Sequence, residues 1–206
     1  MDLQFFGANC VAVTHKGARV VVDDNLAELG AKGVTKADDV SLFTSAHATG
    51  TGRLSFDGPG EYEVSDISVI GIPARAHIDE TGQLNATMFK LVAGDLNVLV
   101  TGHIYPELSD KQLEAIGLVD VMFVPVGGSG YTVDPVGALK LIKEIEPKIV
   151  VPTHFDDKAF KFPVPQVDAA TALKELGMEV KETVAKLKVK HGELPDLTQL
   201  IVLEKS

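Results

Sequence analysis

Val40-Ser41-Leu42-Phe43 runs directly into Thr44-Ser45-Ala46-His47-Ala48-Thr49-Gly50-Thr51-Gly52. An apolar run that breaks into small and polar residues reads as a buried strand opening into a loop. Rigid scaffolds present their chemistry on loops of this kind. His47 is the one side chain here that binds a metal or moves a proton near neutral pH. A single histidine among small residues is more often a hydrogen-bonded structural group. The reading therefore turns on whether other strands end in the same way.

Three others do. The strand Ile67–Ile72 leads to the polar loop 74–85, which carries His77. Leu96–Val100 runs into Thr101-Gly102-His103, and Ile149-Val150-Val151 into Pro152-Thr153-His154. If these strands belong to two packed sheets, their ends can meet along one edge. Neutral imidazole is the commonest protein ligand for zinc and also suits iron and copper. Three or four imidazoles at about 2.0–2.1 Å hold one zinc and leave a position for water. The bound metal lowers the pKa of that water towards about 7. The spacings alone carry no fixed geometry. His15 and His191 lie beside turns and read as exposed.

Outward from these loops, the first 75 residues read as six or seven short strands, mostly antiparallel. Leu3–Phe6, Asn9–His15 and Arg19–Asp23 are broken by Gly7 and by Lys16-Gly17. Asp23-Asp24-Asn25 reads as a solvated turn, and Asn25–Lys32 as a short helix ended by glycines. Arg53–Phe56, Glu61–Val64, Ala86–Leu91 and Leu96–Val100 read as further strands. Val119–Val126 is wholly apolar, the pattern of a strand buried on both faces.

Leu108–Ile116 reads as a helix with Ser109 as N-cap and Gln112 three residues on. Asp134-Pro135 opens a second helix, with Asp as N-cap and Pro in the first turn. Asp168–Leu176 is a third, closed by Gly177. Met178–Val184 and Leu187–Val189 are expected to pair as strands, and Leu200–Leu203 is a last one. Phe155, Phe160 and Phe162 read as packing over helix ends. No repeat, low-complexity tract or linker interrupts the chain, which reads as one domain over residues 1–206.

The totals exclude several classes of function. The 206 residues are 45% hydrophobic and carry a net charge of −10, with 19 basic against 29 acidic side chains. Such a chain is a poor match for a phosphate backbone and is repelled by anionic membranes. Neither nucleic acid nor membrane is an expected partner, and a small molecule is. The single cysteine, Cys10, excludes an internal disulfide and a cysteine-cluster zinc site. No basic, apolar leader opens the chain and no run approaches 20 apolar residues, so the expected location is the cytoplasm. Oligomeric state is not legible.

Several phrases together resemble the metallo-β-lactamase superfamily, in its Zn-dependent hydrolase or lactonase-like branch. They are Ala37-Asp38-Asp39-Val40 through His47, Gly58-Pro59-Gly60-Glu61-Tyr62-Glu63-Val64, and His77-Ile78-Asp79 to Gly82 and Asn85. Gly102-His103, Val124-Pro125-Val126-Gly127-Gly128, Tyr131-Thr132 and Pro152-Thr153-His154-Phe155 complete the set. The resemblance implies an α+β fold, a four-layer αββα sandwich with its site at one edge of the sheets.

Against that family the metal motif is degenerate. The family's His-X-His-X-Asp-His falls on Ser45-Ala46-His47-Ala48-Thr49-Gly50, so only the second histidine remains. The bridging aspartate of the family falls at His103. A two-metal site needs anionic ligands to offset its charge, and both aspartates are gone. The resemblance thus implies at most one zinc, manganese or iron, held by His47, His77, His103 and His154. Hydrolysis of a small anionic substrate is one reading. The other is a metal-free, non-catalytic binding or scaffold protein. Asp79, Glu80 and Asp156 stand near the histidines in sequence, but none is assigned as a base.

Overall fold

A computed structural model describes residues 1–46 and 51–206. Its strands, in chain order, are β1 (Asp2–Gly7), β2 (Cys10–His15), β3 (Ala18–Val22), β4 (Val40–Leu42), β5 (Leu54–Phe56), β6 (Gly60–Val64) and β7 (Ile67–Ala74). They continue as β8 (Ala86–Ala93), β9 (Leu96–Val100), β10 (Val121–Pro125), β11 (Ile149–Thr153), β12 (Val180–Val184), β13 (Leu187–Lys188) and β14 (Gln199–Leu203). The helices are α1 (Asp110–Ile116), α2 (Pro135–Ile145) and α3 (Ala169–Leu176).

Two sheets form. The six-stranded one has the order β13-β1-β2-β3-β4-β5, and the eight-stranded one β12-β14-β11-β10-β9-β8-β7-β6. Period-two alternation sorts their side chains. Leu3, Phe5, Val11, Val13, Val20 and Val22 of the first sheet meet Phe89, Leu91, Val98, Val100, Phe123 and Val151 of the second in one cluster. The intervening residues of the second sheet, Met88, Leu99, Met122, Val124 and Val150, face outward beneath the helices, against Ile116, Leu141, Ile142 and Leu176. β10 is therefore buried on both faces, as its unbroken apolar run demands.

The helices are set by their caps. Ser109 and Gln112 form a reciprocal capping box on α1. Asp134 caps α2 ahead of Pro135, and Asp168 caps α3. All three helices lie on the eight-stranded sheet. The outer face of the six-stranded sheet is covered instead by Leu26, Leu29, Ala31, Val34, Phe160 and Phe162 on turns and loops.

Some local expectations fail for long-range reasons. Asn25–Lys32 makes successive turns rather than a helix, with Glu28, Leu29 and Gly30 each bonding back to the carbonyl three residues before. The Asp24 carboxylate draws the chain away by accepting from the backbone N–H groups of Val34 and Thr35, at 2.7 Å each. β12 and β13 do not pair with each other. β12 lies parallel to β14, and β13 pairs with β1 in the other sheet. His15 is half-buried rather than exposed, while His191 is exposed. Phe160 packs over the six-stranded sheet, not over helix ends.

Strand direction is what places the site. β9, β10 and β11 are mutually parallel. β8 is antiparallel to both β7 and β9, so β7 runs the same way as β9. The C-terminal ends of β7, β9, β10 and β11 therefore open on one edge of the sandwich. β4 reaches the same edge from the other sheet: Ser45 bridges Ala86 and the Thr44 carbonyl accepts from Thr87 N–H at 2.8 Å.

Candidate metal centre

His77, His103 and His154 gather at this edge. The loop after β7 is stitched to the loop after β9 by His77 N–H donating to the His103 carbonyl at 2.8 Å. Ala76 bridges Ile104, and Tyr105 N–H donates to the Arg75 carbonyl. The His103 and His154 rings meet edge to face with centroids 4.5 Å apart. Tyr131, from the loop after β10, lies 5.4 Å from His103, and Phe162 lies 5.1 Å from His154. His47 lies outside the described residues.

Each ring is fixed by backbone geometry. Gly102 adopts φ +65°, and a Cβ there would stand 2.3 Å from the Thr44 side chain. The close approach of the β4 and β9 ends thus requires glycine. His154 adopts a left-handed φ of 54°, uncommon for a residue with a Cβ. Its N–H donates to the Ala8 carbonyl at 2.6 Å, which holds it there.

Beneath the rings lies a buried polar network. Asp23, read from sequence as part of a solvated turn, is only 5% exposed. Its carboxylate accepts from Thr44 N–H at 2.7 Å, Thr44 Oγ1 at 2.6 Å and Asn9 Nδ2 at 2.5 Å. Asn9 Oδ1 in turn accepts from Thr153 Oγ1 at 2.7 Å. One carboxylate so ties the end of β3 to the entrance of the His47 loop and, through Asn9, to the residue before His154.

The rings differ in their partners. His154 Nδ1 lies 3.1 Å from Gln166 Oε1. Among the described residues, Nδ1 of His77 and Nδ1 of His103 are buried with no hydrogen-bond partner. Burial pushes the His103 ring well below the usual imidazole range, and repulsion from His154 and His77 adds to it. Burial likewise lowers His154 to about 4, with the Gln166 hydrogen bond acting in the opposite direction. Both rings are therefore neutral at physiological pH, the form that ligates metals. No carboxylate contributes to either shift.

Asp79, one of the acids near the histidines in sequence, is occupied elsewhere. Asp79 accepts from Ala76 N–H, Asn85 N–H and Asn85 Nδ2, closing its own loop. Arg75 donates to the Asp79 carbonyl and stacks 3.9 Å over the Tyr105 ring. Among the described residues, the unpartnered Nδ1 atoms of His77 and His103 are of the donor type that a single metal ion takes. Among the described residues, no three His, Cys, Asp or Glu side chains are grouped to hold an ion. Sequence reasoning missed the parts played here by Asp23, Asn9, Thr44 and Gln166.

Comparison with known proteins shows the family of the chain. The β-lactamase superfamily domain matches residues 2–154, and the chain belongs to that family. An inferred Zn-dependent hydrolase of the metallo-β-lactamase superfamily from Thermotoga maritima is similar over 98% of both chains, with 24% identity and a TM-score of 0.74. An inferred metal-dependent hydrolase from Parabacteroides distasonis is similar over 98% of this chain and 93% of its own, with 16% identity and a TM-score of 0.64. A diiron β-hydroxylase from Streptomyces venezuelae shares 14% identity over 85% of this chain and 49% of its own, with a TM-score of 0.58. At these identities the likeness is one of fold, the α+β sandwich of the metallo-β-lactamase type. No curated protein matches the sequence. Among the described residues no helix is long and apolar enough to cross a membrane.

Proposed function

We propose that this chain is a hydrolase-like member of its family whose site holds a single divalent ion through imidazoles alone. His77, His103 and His154 supply three of them and His47 the fourth, in one domain spanning residues 1–206. The observation that carries the reading is the pair of buried, unpartnered nitrogens on His77 and His103. Each such atom costs roughly 1–3 kcal/mol, and a bound ion removes that cost.

Zinc, manganese or iron bound there supplies a Lewis acid and an activated water. The protein's own part is to keep the His103 and His154 rings neutral by burial, to orient His154 through Gln166, and to screen it with Phe162. With His103 in place of a bridging aspartate, the loaded site is more cationic than its relatives'. A small anionic molecule, a carboxylate or phosphate, suits that charge. The acidic surface, at −10 overall, favours a small partner over nucleic acid or an anionic membrane.

Metal analysis of protein purified without an affinity tag tests the reading. The expected result is one ion per chain, lost on His103→Ala, with added zinc raising the melting temperature. A folded, metal-free protein whose melting temperature ignores zinc overturns it.

A second reading is a metal-free binding protein that keeps the fold without the chemistry. The absence of a ready three-ligand group among the described residues favours it. The same titration separates the two.

A further inference from the structure

We propose that Gln166 is a positioning residue that fixes the tautomer of His154, protonating Nδ1 and leaving the Nε2 lone pair free for a ligand. The Gln166 amide cannot turn over freely, because its Nε2 donates to the Val164 carbonyl at 2.9 Å. Its Oε1 therefore faces His154 Nδ1, at 3.1 Å. A carbonyl oxygen only accepts, so the ring nitrogen opposite it must donate. A neutral imidazole carries one proton, which leaves Nε2 as the acceptor.

The surroundings make this contact specific. Gly127 has no side chain, and a Cβ there would sit 2.1 Å from Gln166 Oε1 and 2.1 Å from the His154 carbonyl. The glycine opens the slot in which the amide lies. Val167 N–H donates to the Gly127 carbonyl at 2.9 Å, and Asp156 N–H donates to the Val167 carbonyl at 2.8 Å. These bonds hold the Gln166 backbone against the end of β11. His77 and His103 have no comparable partner on Nδ1. Among the described residues, His154 is the one ring of the three whose Nδ1 has a side-chain hydrogen-bond partner.

A hydrogen bond to the far nitrogen of a ligating histidine fixes its tautomer and ring angle, and its loss typically costs 10–100-fold in metal affinity. The consequence for affinity rests on the metal reading above, but the tautomer does not. Two experiments keep them apart. The first is nitrogen NMR of histidine-labelled protein with chelator present. The wild type is expected to show His154 with Nδ1 protonated and Nε2 bare. Gln166→Glu, still an acceptor, keeps that state, and Gln166→Leu shifts it towards the other tautomer. A wild-type ring protonated on Nε2, or a Gln166→Leu spectrum unchanged from wild type, overturns the inference.

The second is zinc calorimetry on the same three proteins. Gln166→Leu is expected to bind at least tenfold more weakly, with Gln166→Glu within a few-fold of wild type. Equal affinity in all three overturns the positioning role. If none binds zinc while the tautomer pattern holds, the metal reading fails and the assignment of Gln166 stands on the spectra. Should Gln166→Leu fail to fold, the wild-type tautomer alone decides.

Discussion

Two buried polar clusters touch at the edge of this sandwich, and they are built on opposite principles. In the lower one, Asp23, Asn9, Thr44 and Thr153 satisfy one another, although they lie between 14 and 144 residues apart along the chain. In the upper one, His77 and His103 keep buried nitrogens with no partner. The two are joined by single residues: Thr153 precedes His154, and Thr44 packs on Gly102 beside His103. Satisfied groups hold this edge together, and the unsatisfied ones are its candidate ligands.

Mutation of the lower cluster should break that contrast most strongly. Asp23→Ala strands Asn9 and the Thr44 N–H and is expected to cost about 3–5 kcal/mol in urea unfolding. A loss below about 1 kcal/mol would show that the carboxylate carries little. In the upper cluster the expected sign reverses. His103→Leu in metal-free protein removes an unpartnered polar atom and should change stability by less than about 1 kcal/mol, or raise it. The same variant should abolish any zinc-induced rise in melting temperature.

Two smaller effects supply the scale. Ser109→Ala removes the α1 capping box and should cost about 1 kcal/mol in urea unfolding with zinc response intact. The Asp2–Lys186 pair is a surface contact at 2.5 Å. The hydrogen bond from Lys186 holds the Asp2 carboxyl below the usual carboxylate range, as the charges of Lys186 and Lys188 also do. Its stabilisation is full above the unfolded value of 3.8 and fades as pH falls through the lower folded value. Asp2→Asn should therefore flatten the acid limb of the stability profile below about pH 4, by no more than about 1 kcal/mol.

The sheets and helices were legible because their signals are local. The alternation of β1 to β3, the apolar run of β10 and the caps Ser109, Asp134 and Asp168 all act within a few residues. The family resemblance rested on short phrases of the same kind. What the sequence hid was non-local. Asp23 looked like a turn residue because its partners are Asn9, in the turn between β1 and β2, and Thr44, just past β4. β13 looked like the partner of β12 because only the fold brings it beside β1. All four candidate histidines could be named from strand ends, but Gln166 could not. It lies twelve residues beyond His154 in a proline-bearing loop, and nothing in its spelling marks it.

The pairing of the chain's two ends has a consequence for how the molecule is made. β1 is bracketed by β2 and by β13, and the Ser206 N–H reaches back to the Phe5 carbonyl at 2.9 Å. During synthesis β1 and β2 emerge long before Leu187, Lys188 and Lys205, which pair with β1. Until they arrive, β1 is an open edge with one ladder of backbone groups unclaimed.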